Sequence, residues 1–69
     1  MAWIMYIPID GGTKRMWLRY NKKFKNWESA VLKWQATRLS EYSDARLAAE
    51  KILTSPYMIG DRIYIEEDK

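Results

Sequence analysis

Neither cysteine nor histidine occurs in this chain. No disulfide can brace the fold, and the soft donors that hold a structural zinc are missing. Carboxylates alone suit only hard cations, so no metal and no cofactor is expected. The 69 residues make one domain, spanning 1–69. A chain this short buries only about 60% of its unfolded surface. Stability must come from apolar packing or from self-association. The packing material is plentiful, with four Trp and five Tyr, because each large aromatic can bury roughly 150–250 Å².

The same absences remove the usual general base and the usual thiol nucleophile. Ser29, Ser40, Ser43 and Ser55 lie in no nucleophile-elbow context. Asp10-Gly11-Gly12 is too short to cradle a phosphate and reads as a turn. A non-enzymatic chain is the expectation. The apolar run after Met1 lasts seven or eight residues and has no basic leader. It is too short for a signal core or a membrane span, so a soluble, cytoplasmic protein is expected.

No internal repeat or low-complexity stretch is visible. Trp3 to Ile9 is rich in Ile, Tyr and Trp and reads as a central strand, with Pro8 fraying its end. Asp10-Gly11-Gly12 is a hairpin signal. Arg15 to Tyr20 returns with strict alternation: Met16, Leu18 and Tyr20 on one face, Arg15, Trp17 and Arg19 on the other. Two readings compete over 27–38. Leu32, Trp34 and Ala36 alternate with polar residues as in a strand. Trp27, Ala30, Val31 and Trp34 recur at helical spacing, behind an Asn26 cap and Glu28 in the first turn, which favours a helix. A second helix, capped by Ser43 or Ser40, carries an apolar stripe of Ala45, Ala48, Ala49, Ile52 and Leu53 and ends at Thr54-Ser55-Pro56. Ile59 to Glu66 alternates again as a last strand.

The expected fold is therefore α+β in the order β-β-α-α-β. Three antiparallel strands form the sheet, the first strand central, and both helices pack on one face. The expected core is Met16, Leu18, Ile63, Ile65, Val31, Trp34, Leu47 and Ile52.

The net charge of +3 is modest, but its distribution is not even. From Gly11 to Trp27 every charged side chain is a cation: Lys14, Arg15, Arg19, Lys22, Lys23 and Lys25, interleaved with Trp17, Tyr20, Phe24 and Trp27. A sheet face carrying Arg15, Trp17, Arg19, Arg62 and Tyr64, with Lys22, Lys23 and Lys25 on the adjoining loop, suits unpaired bases on aromatics and phosphates on cations. The chain is accordingly expected to be a small nucleic-acid-binding module. The same cations equally suit edge protection of a small sheet, with Arg15 and Arg19 paired to Glu66 or Glu67 across strands. The alternative function is a protein-interaction module, such as a small phage or mobile-element regulator that binds and inhibits a host protein. Interface cores are enriched in the Trp, Tyr, Met and Arg that abound here. A homodimer is compatible with either.

Overall fold

Asp10 and Gly11 both adopt positive φ, 53° and 68°, so the chain reverses tightly and lays two strands side by side. In the computed structural model, which describes residues 1–54 and 62–68, these are β1 (Ala2–Ile9) and β2 (Lys14–Asn21). A second reversal follows at 22–25. The Asn21 side-chain oxygen accepts hydrogen bonds from the Lys23 and Phe24 N–H groups, at 3.0 and 3.3 Å. This is the local bond that suits Asn to a turn. Lys25 closes it at φ 53°. β3 (Asn26–Ala30) then runs back along β2, α1 spans Tyr42–Leu53, and β4 is Tyr64–Asp68. The sheet is antiparallel in the order β3-β2-β1-β4, with β1 between β2 and β4.

This corrects the expected three-stranded sheet with two helices. The sheet has four strands among the described residues, and one helix packs on it. Residues 27–38 are not helical. They form β3, a short 3-10 turn over Lys33–Gln35, and an extended stretch leading to a bridge at Leu39. The 3.6-residue spacing of Trp27, Ala30, Val31 and Trp34 is outweighed by pairing with β2, where Tyr20 faces Trp27 and Trp17 faces Ala30. Helix propensity differs by a few tenths of a kcal/mol between most residues, so tertiary pairing readily overrides it.

The helix begins at Tyr42 after Glu41, and no side chain caps it, so neither Ser40 nor Ser43 serves as N-cap. Asp44 does lie in the first turn, where an acid suits the helix dipole. Ser55, Pro56 and Ile59, read as the helix stop and the start of the last strand, lie outside the described residues.

The parity read along β2 holds, and it divides the core in two. On one face Met5 and Leu18 are buried against Ala45, Ala49 and Ile52 of α1, with Ile63 and Ile65 partly buried beside them. Small alanines let the helix axis approach the sheet closely. On the other face Ile4, Trp17, Ala30 and Ala36 form a second cluster, with Tyr6 packed against it. No second helix covers this face among the described residues; the segment that leaves β3 does. Of the expected core, Val31, Trp34 and Leu47 are exposed, whereas Leu18 and Ile52 are buried. Met16 is partly buried.

A wedge links the two faces. β1 and β2 pair from Ile9↔Lys14 to Tyr6↔Trp17. Beyond that point residues 37–39 take up the hydrogen bonds between them. Thr37 N–H donates to Leu18 C=O at 3.0 Å, and Tyr20 N–H donates to Thr37 Oγ1 at 2.7 Å. Trp3 and Leu39 exchange both backbone bonds, at 2.7 and 2.9 Å. The chain thus crosses from the Ala36 side to the Leu39 side through the gap. Backbone groups that the parting strands would leave unpaired find partners in this segment.

Candidate nucleic-acid interface

The face opposite α1 carries most of the residues singled out from the sequence. Trp17, Tyr6 and Tyr64 lie in one row across β2, β1 and β4, because Tyr6 is directly opposite both of the others. The rings touch in sequence, Tyr6 to Trp17 at 5.3 Å and Tyr6 to Tyr64 at 5.6 Å with nearly parallel planes. Arg15, one pleat from Trp17, lies over the Tyr6 ring at 4.3 Å. Its guanidinium also donates to Glu66 Oε1 at 3.0 Å. Such a pair stacks and neutralises at once.

Burial separates these residues. Trp17 is only 6% exposed. It lies beneath the segment that follows β3, with Ala36 against it and the Lys33 ammonium 5.7 Å from its ring. Its ring therefore supports the face from below and offers no open surface for a base. Tyr64 is the exposed ring of the row. Arg62 is exposed and precedes β4.

Charge separates them again. Lys14 faces Asp10 at 3.8 Å, Arg15 faces Glu66, and Arg19 faces Glu28 at 3.8 Å. Glu66 also receives Lys33 at 3.5 Å, and Arg38 pairs with Asp68. The sheet cations are thus largely compensated. The pairing foreseen between Arg15 and Glu66 is present; Arg19 instead takes Glu28, on the strand that was read as a helix.

Lys22, Lys23 and Lys25 differ from the others. All three are exposed on the β2–β3 turn, and among the described residues none forms an ion pair. Phe24 projects between them, 68% exposed, with the Lys23 ammonium 5.6 Å from its ring. Arg15 and Lys22 are seven residues apart along an extended strand, so about 23 Å separates the two ends. Six of the eight expected site residues therefore form two groups: Arg15, Trp17 and Tyr64 near one end of β2, and Lys22, Lys23 and Lys25 at the other. Arg19 lies between them on the same face.

Sequence reasoning missed the corner after β3. Val31, Leu32 and Trp34 are 76%, 49% and 68% exposed, and Leu32 N–H is held by Gln35 Oε1 at 3.2 Å. A helix over 27–38 would place Val31 and Trp34 in the core; the strand and the turn at 33–35 that replace it leave both exposed. Among the described residues no helix is long and apolar enough to cross a membrane, and no three acidic side chains converge on a possible metal site. Comparison with protein-family models, with characterised proteins and with solved structures finds no match for this chain.

Proposed function

We propose that this chain is a small, non-enzymatic nucleic-acid-binding module of the cytoplasm and that the β2–β3 turn is its principal contact. The observation that carries the reading is the contrast in charge compensation. Lys14, Arg15 and Arg19 each have an acid within 3.8 Å, whereas Lys22, Lys23 and Lys25 have none among the described residues. Ion pairing with neighbouring acids accounts for the first group. It does not account for three uncompensated ammonium groups within four residues of one turn, whose mutual repulsion a polyanion would relieve. Arg19 extends the contact along the face. Arg15, Arg62 and Tyr64 form a secondary contact at the far end.

The test is the salt dependence of affinity for oligonucleotides, in the natural chain and in a Lys22→Gln, Lys23→Gln, Lys25→Gln variant. Three phosphates neutralised by the turn correspond to a slope of about 2.7 in log affinity against log salt on duplex, or about 2.1 on single strands. Between about 50 and 200 mM salt, the turn's share is a loss of roughly 40-fold on duplex or 20-fold on single strands. The variant should lose that share. An unchanged slope and affinity in the variant would remove the turn from the interface.

A protein-binding module is the second reading, and the exposed corner at Val31, Leu32 and Trp34 favours it. Monomeric proteins rarely leave adjacent large apolar side chains this open without a partner. A regulator that inhibits a host protein would bind through this corner with weak salt dependence. Trp34→Ala should then abolish capture of the partner and leave oligonucleotide affinity intact; equal capture by the variant would exclude the corner.

A further inference from the structure

We propose that the outer edge of β3, together with the apolar corner that follows it, pairs with the same edge of a second copy of this chain. The backbone bonds decide which groups face outward. Leu18 C=O and Tyr20 N–H both bond to Thr37, on the side of β2 away from β3. In an antiparallel ladder a residue's N–H and C=O point the same way, so Leu18 and Tyr20 occupy non-hydrogen-bonded positions against β3. Their partners are Ser29 and Trp27. The N–H and C=O groups of Trp27 and Ser29 therefore point away from β2, and nothing among the described residues bonds to them.

This edge also has little of the usual protection, Glu28 being its one charged side chain. Asn26–Ala30 contains no Lys and no Pro, the devices that keep edges from pairing. The opposite edge, β4, carries Glu66, Glu67 and Asp68. Exposed apolar side chains stand at both ends of β3: Phe24 before it, and Val31, Leu32 and Trp34 after it. A two-fold axis through an antiparallel strand pair brings each end of one copy to the opposite end of the other. Phe24 of each copy then meets the apolar corner of its mate.

Charge permits the arrangement. Glu28, in the middle of the strand, is compensated by Arg19, while Lys33 and Arg38 beside the corner are paired to Glu66 and Asp68. Between Asn26 and Ala30 two such edges carry little net charge toward each other, and the two-fold axis sets the uncompensated lysines of the two turns at opposite ends of the pair. The corner is an apolar patch of three exposed side chains, the kind of surface that marks an interaction site. Phe24 and the strand edge extend it toward the roughly 600 Å² per partner of a small specific interface. The inference stands on the strand edge and does not depend on the lysine turn binding nucleic acid.

The experiment is sedimentation equilibrium of the natural chain over a wide concentration range, beside Trp34→Glu and Ser29→Pro. Proline at 29 removes an outward N–H and spares the ladder to β2; circular dichroism verifies that each variant is folded. The expected result is a mass twice the 8.3 kDa of the chain, with the dimer dissociation constant raised at least tenfold in each folded variant. The turn variant with three glutamines should dimerise as the natural chain does, which separates this outcome from the nucleic-acid result. A monomer throughout the range would overturn the proposal, including where a foreign protein is found on this edge instead. So would a dimer unaffected by Trp34→Glu, which alters an exposed side chain and should leave folding intact.

Discussion

Trp17→Ala separates two pictures of the sheet face. If the ring stacked on bases from an open surface, its removal would weaken binding and spare the fold. In the structure Trp17 is buried against Ile4, Ala30 and Ala36, and its loss leaves a cavity. Trp to Ala in a core costs about 3–5 kcal/mol. A domain of 69 residues has a total stability of roughly 3–10 kcal/mol, from about 0.05–0.15 kcal/mol per residue. The variant should thus retain at most a fraction of the natural stability. Urea unfolding followed by far-UV circular dichroism reads this directly. With a slope of about 1–1.5 kcal/mol/M, typical of a small domain, the midpoint should fall by at least about 2 M or the folded baseline should vanish. At a concentration below the dimer dissociation constant, Trp34→Ala is the internal control, since an exposed ring should then change stability by less than about 0.5 kcal/mol. A Trp17→Ala protein within about 1 kcal/mol of the natural chain would refute the burial argument.

Two further outcomes follow from the wedge and from the charge pairs. Thr37→Val keeps the shape of the side chain but leaves the partly buried Tyr20 N–H without its acceptor, at a cost of about 1–3 kcal/mol. Thermal unfolding should show the loss, faster exchange of the Tyr20 amide should accompany it, and an unchanged melt would mean that the bond adds nothing. Glu66→Gln frees both Arg15 and Lys33. Because all three side chains are at least a third exposed or nearly so, the loss should stay below about 1 kcal/mol and fade at high salt. Oligonucleotide affinity should rise in this variant if Arg15 contributes to the secondary contact, and an unchanged affinity would exclude it.

Much of the scaffold is legible locally. Alternation along 15–20 places Met16, Leu18 and Tyr20 on one face and Arg15, Trp17 and Arg19 on the other, because side chains of an extended strand alternate whatever the strand packs against. Asp10-Gly11-Gly12 marks its turn because few residues accept positive φ cheaply. Ala45, Ala49 and Ile52 are spaced to bury one stripe of a helix. The segment 27–38 is not legible in this way. Its residues satisfy a helical period and an alternating period at once, and β2 decides between them. That misassignment propagated into the candidate site. With 27–38 as a helix, Trp17 looked open, Trp34 and Val31 looked buried, and Arg19 had no visible neighbour in Glu28.

Residue order along the chain is enough to specify that β1 and β2 pair, which side chains share a face, that a helix forms around Ala45 to Ile52, and that Lys22, Lys23 and Lys25 crowd one turn. Those outcomes depend on backbone sterics and on contacts a few residues apart. The burial of Trp17, the compensation of each arginine, and the exposure of the corner at 31–34 arise only when distant segments meet. Thr37 must reach Leu18, and Glu66 must reach Arg15 across 51 residues of chain. The lysine turn is therefore legible in the sequence alone. The surface around it was settled by long-range pairing, because ion pairs and burial are properties of neighbours in space.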